Sequence, residues 1–468
     1  MTTLSARETA APTRDPGSFR DPSGFVFRRD GVLYRQVNRF FADEWQAAVD
    51  AGILRRWQEA GNLVGHDVAD ISLAADPDRA LAVLRPDPIA FISYPYEWTF
   101  GQLKDAALLT LDLQEDAERT GFTLRDASAY NIQVDRGRPI LIDSLSVEPL
   151  NPAEPWAAYR QFCQHFVAPL ALMARRNIQC GLMLRDHVDG IPLDLASTLL
   201  PGRTRLSVGL ASHIHLHARA QRRFADAGSS ARRATGMGVI RRAALLDSLR
   251  RTIQDLRWSP GGTEWADYDR QTSYSDVGTR AKESIVEAML RDAGGSVVWD
   301  LGANVGRFSA IAARLGRRVV AWDVDPAASE RHYQRLKAAG ETSVLPLVQD
   351  IVNPSPGLGW ASAERAGFVD RSDADVVLAL ALVHHFAISN NVPLEWIASL
   401  LARLAPSAIV EFVPKDDPMV RRLLGSRRDV FADYTEDGFE RAFGTHFRIV
   451  ARMPIVDSTR IVYRMERA

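Results

Sequence analysis

Residues 297–309 place one acid and two glycines at the end of an apolar run, in the order Val-Val-Trp-Asp-Leu-Gly-Ala-Asn-Val-Gly-Arg-Phe-Ser. The run ends in Asp300, and Gly302 and Gly306 then interrupt the chain before a helical pattern begins. Glycine lets a backbone approach a ligand closely, because it has no Cβ. The order strand, glycine loop, helix predicts the opening of a doubly wound α/β sheet that binds a nucleotide-like ligand beyond its strand ends.

Two further acids follow apolar runs downstream of this loop. Asp323 comes directly after Arg318 to Trp322, at about the distance from the loop where an acid that binds ribose hydroxyls is expected. Asp350 ends the run Leu-Pro-Leu-Val-Gln-Asp. Because parallel strands end at one edge of a sheet, we expect these acids to line a common ligand site, although each could instead cap a turn or a helix.

The spacing Asp-x-Gly-x-x-x-Gly resembles motif I of class I S-adenosylmethionine (AdoMet) methyltransferases, and the resemblance covers residues 265–468. It implies a Rossmann-like, seven-stranded α/β sheet with AdoMet as cofactor. It also implies that the cofactor loop comprises Asp300, Gly302, Asn304 and Gly306. Asp323 would then bind the ribose hydroxyls and Asp350 the adenine amine.

Asp375 to Phe386 matches the fourth strand and motif IV of the same class, and it brings His384 and His385 to the edge where cofactor and acceptor meet. The methyl group of AdoMet is already activated, so catalysis needs alignment and removal of the acceptor proton. A histidine with a near-neutral pKa suits that proton transfer, unless it only packs or caps a helix. The Asn/Asp-Pro-Pro-Tyr/Phe pattern of base-amine methylation is absent from this segment.

Asp126 and Asn131 stand five residues apart in the N-terminal half, and Asp143 follows twelve residues later. This spacing resembles the catalytic loop and metal-binding Asp of protein kinases and aminoglycoside-type phosphotransferases, over residues 21–195. The resemblance implies an α+β kinase-like fold in which Asp126 receives a hydroxyl proton while Asn131 and Asp143 hold magnesium on ATP. The elements expected upstream are a hairpin (24–37), a helix (43–60), strands (82–84 and 89–93) and a helix (100–120).

Two departures from the kinase pattern bear on activity. No glycine-rich loop covers a phosphate site, and Arg35 stands where a lysine is expected. Arginine neutralises phosphate with a different geometry and does not simply replace lysine. We therefore expect the acidic cleft to persist while magnesium and ATP bind poorly or not at all.

Composition excludes several classes of protein. A chain of 468 residues accommodates two or three domains, and its net charge of −1 gives no global attraction to nucleic acid or anionic membrane. Cys163 and Cys180 lack metal-ligand spacing, so neither a zinc site nor a disulfide scaffold is predicted. His213, His215 and His217 would share a face only on a strand, and no second ligand cluster accompanies them. Without a long apolar run, a cytoplasmic protein with no membrane partner is expected.

An arginine-rich stretch leaves a second function open. Residues 203–257 contain twelve Arg and three Asp, and such a stretch either forms a solvated helical linker or grips phosphates. The expected domains are a flexible tail (1–20), the kinase-like domain (21–195), an Arg-rich helical linker (196–260) and the methyltransferase domain (261–468).

The whole chain also resembles bacterial AdoMet methyltransferases of the nodulation host-specificity group, through segments such as Ser93 to Trp98, Leu124 to Val134 and Pro414 to Pro418. The resulting prediction is methyl transfer to an O or N atom of a small-molecule or glycan-like acceptor. The N-terminal module would serve recognition or a second activity. The alternative is an RNA (tRNA) methyltransferase that uses the arginine-rich linker for phosphate contacts.

Overall fold

The computed structural model describes residues 11–219, 238–261, 275–425 and 428–468. The chain divides into two compact units. Unit 1 contains the residues up to Tyr96 together with Gln102–Trp258 and Gly357–Ala366, and unit 2 contains Glu97–Gly101, Ser259–Pro356 and Gly367–Ala468. These units differ from the contiguous domains expected from the sequence, because each includes a short segment from the other half of the chain. The described residues of the expected linker up to Trp258 belong to unit 1, and Ser259 and Pro260 belong to unit 2.

Unit 1 contains a five-stranded antiparallel sheet in the order β1-β2-β3-β5-β4 and two separate strand pairs, β6 with β9 and β7 with β8. The expected hairpin is β2 and β3, which turn at Asp30 and Gly31, both with positive φ. The strands are β1 (Thr13–Arg14), β2 (Gly24–Arg29), β3 (Val32–Asn38), β4 (His66–Ala69), β5 (Ala80–Pro86), β6 (Phe122–Leu124), β7 (Ile132–Asp135), β8 (Arg138–Leu141) and β9 (Val147–Pro149).

Two of the elements expected in unit 1, one helix and one strand, differ in the structure. The pattern over 43–60 gives two helices, because Gly52 adopts φ 64° between them. Residues 89–93 form no strand, and the Ser93 amide instead donates to the side chain of Gln133 at 2.9 Å. The helices are α1 (Ala42–Asp50), α2 (Ile53–Glu59), α3 (Phe100–Arg119), α4 (Tyr159–Phe162), α5 (Ala168–Arg175), α6 (Met183–Asp186), α7 (Leu193–Leu199), α8 (Val208–Leu210) and α9 (Val239–Asp255).

The segment expected to be a flexible tail is structured where it is described. Residues 1–10 lie outside the described residues, but β1 pairs antiparallel with β2. The Asp15 amide donates to the carbonyl of Val26 at 2.8 Å, and the Asp15 carboxylate accepts from the amide of Gly17 at 2.8 Å. A strand partner, which sequence polarity does not reveal, thus orders residues 11–20.

Unit 2 is a seven-stranded sheet in the order β12-β11-β10-β13-β14-β16-β15. The first five of these strands are parallel, and β16 runs antiparallel between β14 and β15. The predicted Rossmann-like α/β sheet of the methyltransferase type is confirmed by this order. The strands are β10 (Val297–Leu301), β11 (Arg318–Asp323), β12 (Val344–Val348), β13 (Val376–Ala379), β14 (Ser407–Phe412), β15 (Phe447–Pro454) and β16 (Ile461–Arg467).

The central strands of unit 2 are apolar on both faces, as parallel strands covered by helices are. One face carries Val298, which belongs to a core cluster with Val286 and Ile311 of neighbouring helices. The other face carries Trp299 and Trp322, whose rings lie 5.2 Å apart. The helices are α10 (Asp276–Ala293), α11 (Arg307–Arg314), α12 (Pro326–Ala339), α13 (Leu394–Leu404), α14 (Pro418–Leu424) and α15 (Glu436–Phe443). Among the described helices of either unit, none has both the length and the apolar character needed to cross a bilayer.

A buried ion pair ties the segment Glu97–Gly101 into unit 2. The Glu97 carboxylate accepts from two guanidinium nitrogens of Arg371, one of them at 3.0 Å, and from the hydroxyl of Ser355 at 3.3 Å. The side chains of Glu97 and Arg371 are 0% and 6% exposed. Removing one partner of such a pair leaves an uncompensated buried charge, which costs far more than the pair contributes.

We expect Glu97→Ala to destabilise unit 2 by about 3–5 kcal/mol, because Arg371 keeps its buried charge without its partner. Hydrogen exchange of the β10 and β13 amides in the full chain measures this loss. Glu395→Ala on the exposed start of α13 is the control and should change stability by less than about 0.5 kcal/mol. Equal exchange rates in the two variants would contradict the role of Glu97 in unit 2.

Candidate functional site

The loop after β10 has the conformation that its glycines predict. Gly302, Asn304 and Gly306 all have positive φ, at 71°, 50° and 78°. Asparagine tolerates this conformation better than most residues, and the Asn304 side-chain oxygen accepts from the amide of Val305 at 2.8 Å. The Gly302 amide donates to the carbonyl of Trp322 at 2.8 Å, which ties the loop to β11.

Gly306 has a packing requirement that the motif alone does not show. A Cβ at this position would lie 2.0 Å from the ring of His332, a buried residue of α12. Burial lowers the pKa of His332 to about 3, so its ring is neutral at pH 7. Gly306 therefore lets α12 approach the loop, in addition to allowing the positive φ.

Asp323 ends β11 with both carboxylate oxygens held by the backbone. One oxygen accepts from the amide of Asn304 at 2.7 Å, and the other accepts from the amide of Asp325 at 2.8 Å. Burial raises the pKa of Asp323 to about 6, so the group is mostly ionised at pH 7. Each oxygen of a carboxylate has a further lone pair, which leaves Asp323 able to accept from a pair of ligand hydroxyls.

Asp300 is the penultimate residue of β10 and Asp350 follows β12, the two strands on either side of β11. Asp300 is buried and accepts from the hydroxyl of Ser309 at 2.6 Å, and burial raises its pKa to about 6. Asp350 is exposed just beyond β12, where it accepts from the amide of Val352 at 2.9 Å. The Gln349 amide donates to the carbonyl of Asp323 at 2.8 Å. The three predicted acids thus lie at or just beyond the carboxyl ends of neighbouring parallel strands, at one edge of the sheet.

His384 and His385 lie in the connection after β13, with ring centroids 4.1 Å apart. His384 is completely buried, and His385 is partly exposed. Burial, followed by the positive charge of Arg460, lowers the pKa of His385 to about 4. Burial, then the neighbouring His385 ring and the positive charges of Arg460 and Lys282, hold the pKa of His384 well below its usual value. Both rings are therefore neutral at pH 7 and weaker bases than the near-neutral histidine expected from the sequence.

A buried network of four charged side chains lies beside these histidines. The ammonium of Lys282 in α10 contacts the Glu411 carboxylate of β14 at 2.7 Å. The guanidinium of Arg460 contacts Glu411 at 3.7 Å and binds both oxygens of Asp417, at 2.7 and 3.1 Å. Because each charge has an opposite charge in contact, the network can remain ionised inside the protein.

These four residues were not expected from the sequence. Two signals could have identified them: Lys282 is one of only four lysines in the chain, and Glu411 interrupts an apolar strand, Ser-Ala-Ile-Val-Glu-Phe. An acid inside an apolar strand needs a buried partner. That partner is 129 residues away along the chain, so only the fold brings it into contact.

In unit 1, Asp126, Asn131 and Asp143 converge. Asn131 donates to Asp126, and burial followed by the negative charge of Asp143 raises the pKa of Asp126. The guanidinium of Arg35 on β3 forms an ion pair with Asp143 in which both side chains are 13% exposed. The Asp143 carboxylate also accepts from the hydroxyl of Ser146 at 2.7 Å. Arg35 thus supplies a positive charge directly on this acidic cluster.

The three alternating histidines lie on a helical segment and contact the protein itself. His213 contacts Tyr159 and Ser248 through its two ring nitrogens, at 2.8 and 2.9 Å. His215 contacts Ser197 and Thr204 at the same two distances. Within the described ranges, no cluster of His, Cys, Asp and Glu could hold a metal ion.

The arginines of the described linker also have protein partners. Arg242 donates to the carbonyls of Asn151 and Glu154, and Arg250 contacts Asp112 and Glu115 of α3. These contacts account for part of the positive excess in the sequence. Arg251 forms an ion pair with Asp247, and Arg222, Arg223, Arg232 and Arg233 lie outside the described residues.

Several known proteins resemble the chain. Nodulation protein NoeA of Rhizobium meliloti (strain 1021) is 36% identical over 465 residues, which cover 98% of this chain and 97% of the relative. Magnesium protoporphyrin IX methyltransferase of Synechocystis PCC 6803, solved with bound SAH, is 20% identical over 44% of this chain and 90% of its own, with a TM-score of 0.31. N-methyltransferase NodS of Bradyrhizobium japonicum WM9 is 14% identical over 41% and 98%, with a TM-score of 0.31.

No protein-family model matches the chain. The match to NoeA nevertheless spans both units with almost no part of either protein left over. On this full-length similarity, the chain belongs to the family of nodulation protein NoeA.

Proposed function

We propose that the protein is an AdoMet-dependent methyltransferase whose cofactor site lies at the strand-end edge of unit 2. The observation that carries this proposal is the geometry of Asp323, a buried carboxylate that backbone amides hold at the end of β11 with lone pairs left for a diol. AdoMet presents a ribose diol together with positive charge on its sulfonium and amino groups. Asp300 and Asp323, both buried and ionised at pH 7, favour such a ligand.

When bound, AdoMet supplies a methyl group that is already activated by the sulfonium. The protein then has to align the acceptor and to receive its proton. His385 is the better placed of the two histidines for this role, because it is partly exposed after β13 while His384 lies buried beside it. The proposed acceptor is a small-molecule or glycan-like compound that is methylated on O or N.

The RNA alternative gains no support from the described arginines. Arg242 and Arg250 are held by protein carbonyls and carboxylates, so they are not available to grip phosphates. RNA binding that weakens steeply with salt would favour this alternative, since counterion release gives phosphate contacts a strong salt dependence.

For unit 1 we propose a kinase-like cleft that binds magnesium and ATP poorly. The convergence of Asp126, Asn131 and Asp143 supports the kinase-like interpretation. The ion pair between Arg35 and Asp143 supports the loss of metal binding. The guanidinium of Arg35 binds the Asp143 carboxylate, which would otherwise be a ligand of the metal. In this reading, unit 1 serves recognition of the acceptor.

We expect Asp323→Ala to weaken AdoMet binding at least about tenfold, because losing a buried charged acceptor costs about 1.5–3 kcal/mol and ~1.4 kcal/mol is one decade. Isothermal titration calorimetry on the full chain measures the change. Asp292→Ala, at an exposed acid near the end of α10, is the matched control and should bind AdoMet like the native protein. Unchanged affinity in Asp323→Ala would remove this residue from the site.

If His385 receives the acceptor proton, His385→Ala should lower kcat about 10²-fold and leave AdoMet affinity unchanged. Because the pKa of His385 is lowered to about 4, the native ring stays unprotonated between pH 6 and 8, so kcat at saturating AdoMet should show no acid limb in that range. The value of kcat and its pH dependence are measured by the transfer of tritium from AdoMet labelled in its methyl group. His446→Ala is the control, and full activity of a variant lacking both His384 and His385 would contradict the role.

In unit 1 we expect no micromolar affinity for magnesium–ATP in the native chain and a gain of magnesium binding in Arg35→Ala. That substitution frees the carboxylate of Asp143, a preferred ligand of magnesium. Calorimetry with magnesium alone and with magnesium–ATP measures both affinities, and Arg28→Ala at an exposed position of β2 is the control. Micromolar magnesium–ATP affinity in the native chain that Asp143→Ala eliminates would contradict the proposal.

A further inference from the structure

A groove in unit 2 opens between α11 and α12, next to the glycine loop. It has a volume of about 450 Å³, and all of its lining residues lie between Glu283 and Val344, within unit 2. The groove shares Gly306 with the glycine loop, but none of the three acids proposed to bind AdoMet lines it. The proposed cofactor site therefore does not account for this groove.

The apolar part of the groove is recessed. It is formed by Ala310 and Ile311 of α11, Leu336 of α12, Val344 at the start of β12 and Val305 of the glycine loop. The side chains of Ile311, Leu336 and Val344 are buried. Within the described ranges, none of the large apolar side chains that are exposed lines the groove. A recessed apolar floor fits a small molecule, whose sites enclose about 300–1,000 Å³, better than it fits the surface of a partner protein.

The charged residues of the groove leave it positive. They are three arginines and two glutamates, so the groove carries one positive charge in excess. Arg307 contacts Glu283 at 3.0 Å. Arg314 and Arg335 are exposed, and neither has Glu341 or another carboxylate of the described residues within ion-pair distance. Two guanidinium groups beside an apolar floor therefore lack an anionic partner in the part of the chain that the structure describes.

We propose that this groove is a second ligand site of unit 2 and binds a small organic anion with an apolar body. The body covers the recessed floor, and the acidic head pairs with Arg314 and Arg335. A guanidinium group donates two parallel hydrogen bonds to a carboxylate or phosphate, and a single negative charge balances the excess charge of the groove. A cation would add to that excess, and a neutral apolar molecule would leave it unbalanced. This inference goes beyond the proposed function, because binding in the groove does not require AdoMet.

The first test separates the contribution of the apolar body from that of the charge. Calorimetry on the full chain measures the affinity for octanoate and for octyl phosphate, which distinguish a carboxylate head from a phosphate head. Acetate lacks the apolar body, octan-1-ol lacks the charge, and octyltrimethylammonium reverses it. We expect one of the two anions to bind at one molecule per chain, at least about tenfold more tightly than these three compounds. Failure of both anions to bind, or equal affinity for octan-1-ol or octyltrimethylammonium, would overturn the proposal.

The second test assigns the binding to the groove. A variant with both Arg314→Gln and Arg335→Gln should bind the anion at least about tenfold more weakly, because charge-assisted hydrogen bonds are lost. Ala310→Trp should abolish binding by filling the groove. A variant with Arg403→Gln and Arg441→Gln removes two exposed charges from α13 and α15 and should keep the native affinity. Thermal unfolding checks that each variant is folded, and if Ala310→Trp is not, the arginine variants decide. Native affinity in the variant of Arg314 and Arg335, or an equal loss in the control, would overturn the proposal.

Discussion

The proposed cofactor site of unit 2 depends on the hydrogen bond that the backbone amide of Asn304 donates to the Asp323 carboxylate. This bond joins the end of β11 to the glycine loop after β10, and it forms because the two strands are parallel neighbours in register. Burying the carboxylate raises its pKa, so the folded protein without ligand holds an ionised group that is only partly compensated. A ligand with hydroxyl donors and positive charge would compensate it more fully.

A second constraint lies beside His384 and His385, where an almost completely buried network is formed by Lys282, Glu411, Arg460 and Asp417. Removing one member would leave a buried charge without its partner, and the free-energy cost of that unpaired charge keeps all four side chains in place. Its fixed charges also set the electrostatic character of the space near His384 and His385.

The acidic cluster of unit 1 differs in the origin of the positive charge that compensates it. There the positive charge on Asp143 comes from Arg35, a residue of the same unit, and the acids Asp126 and Asp143 lie close enough for one to raise the pKa of the other. An internal cation stabilises such a cluster without any ligand. In unit 2 burial keeps the pKa values of Asp300 and Asp323 raised, although Ser309 and Lys282 compensate Asp300 in part and backbone amides compensate Asp323 in part.

The sequence alone determined the elements whose local pattern is strong: the strand, glycine loop and helix around Asp300, the strand ending in Asp323, and the hairpin of β2 and β3. Each depends on residues within a few positions of one another, such as glycines with positive φ and alternating apolar residues. Tertiary structure decided what depends on distant partners. It placed Glu97 with Arg371, ordered residues 11–20 through β2, joined Lys282 to Glu411 and lowered the pKa values of His384 and His385. Burial and buried ion pairs arise only when segments far apart in the chain meet, so no local pattern records them.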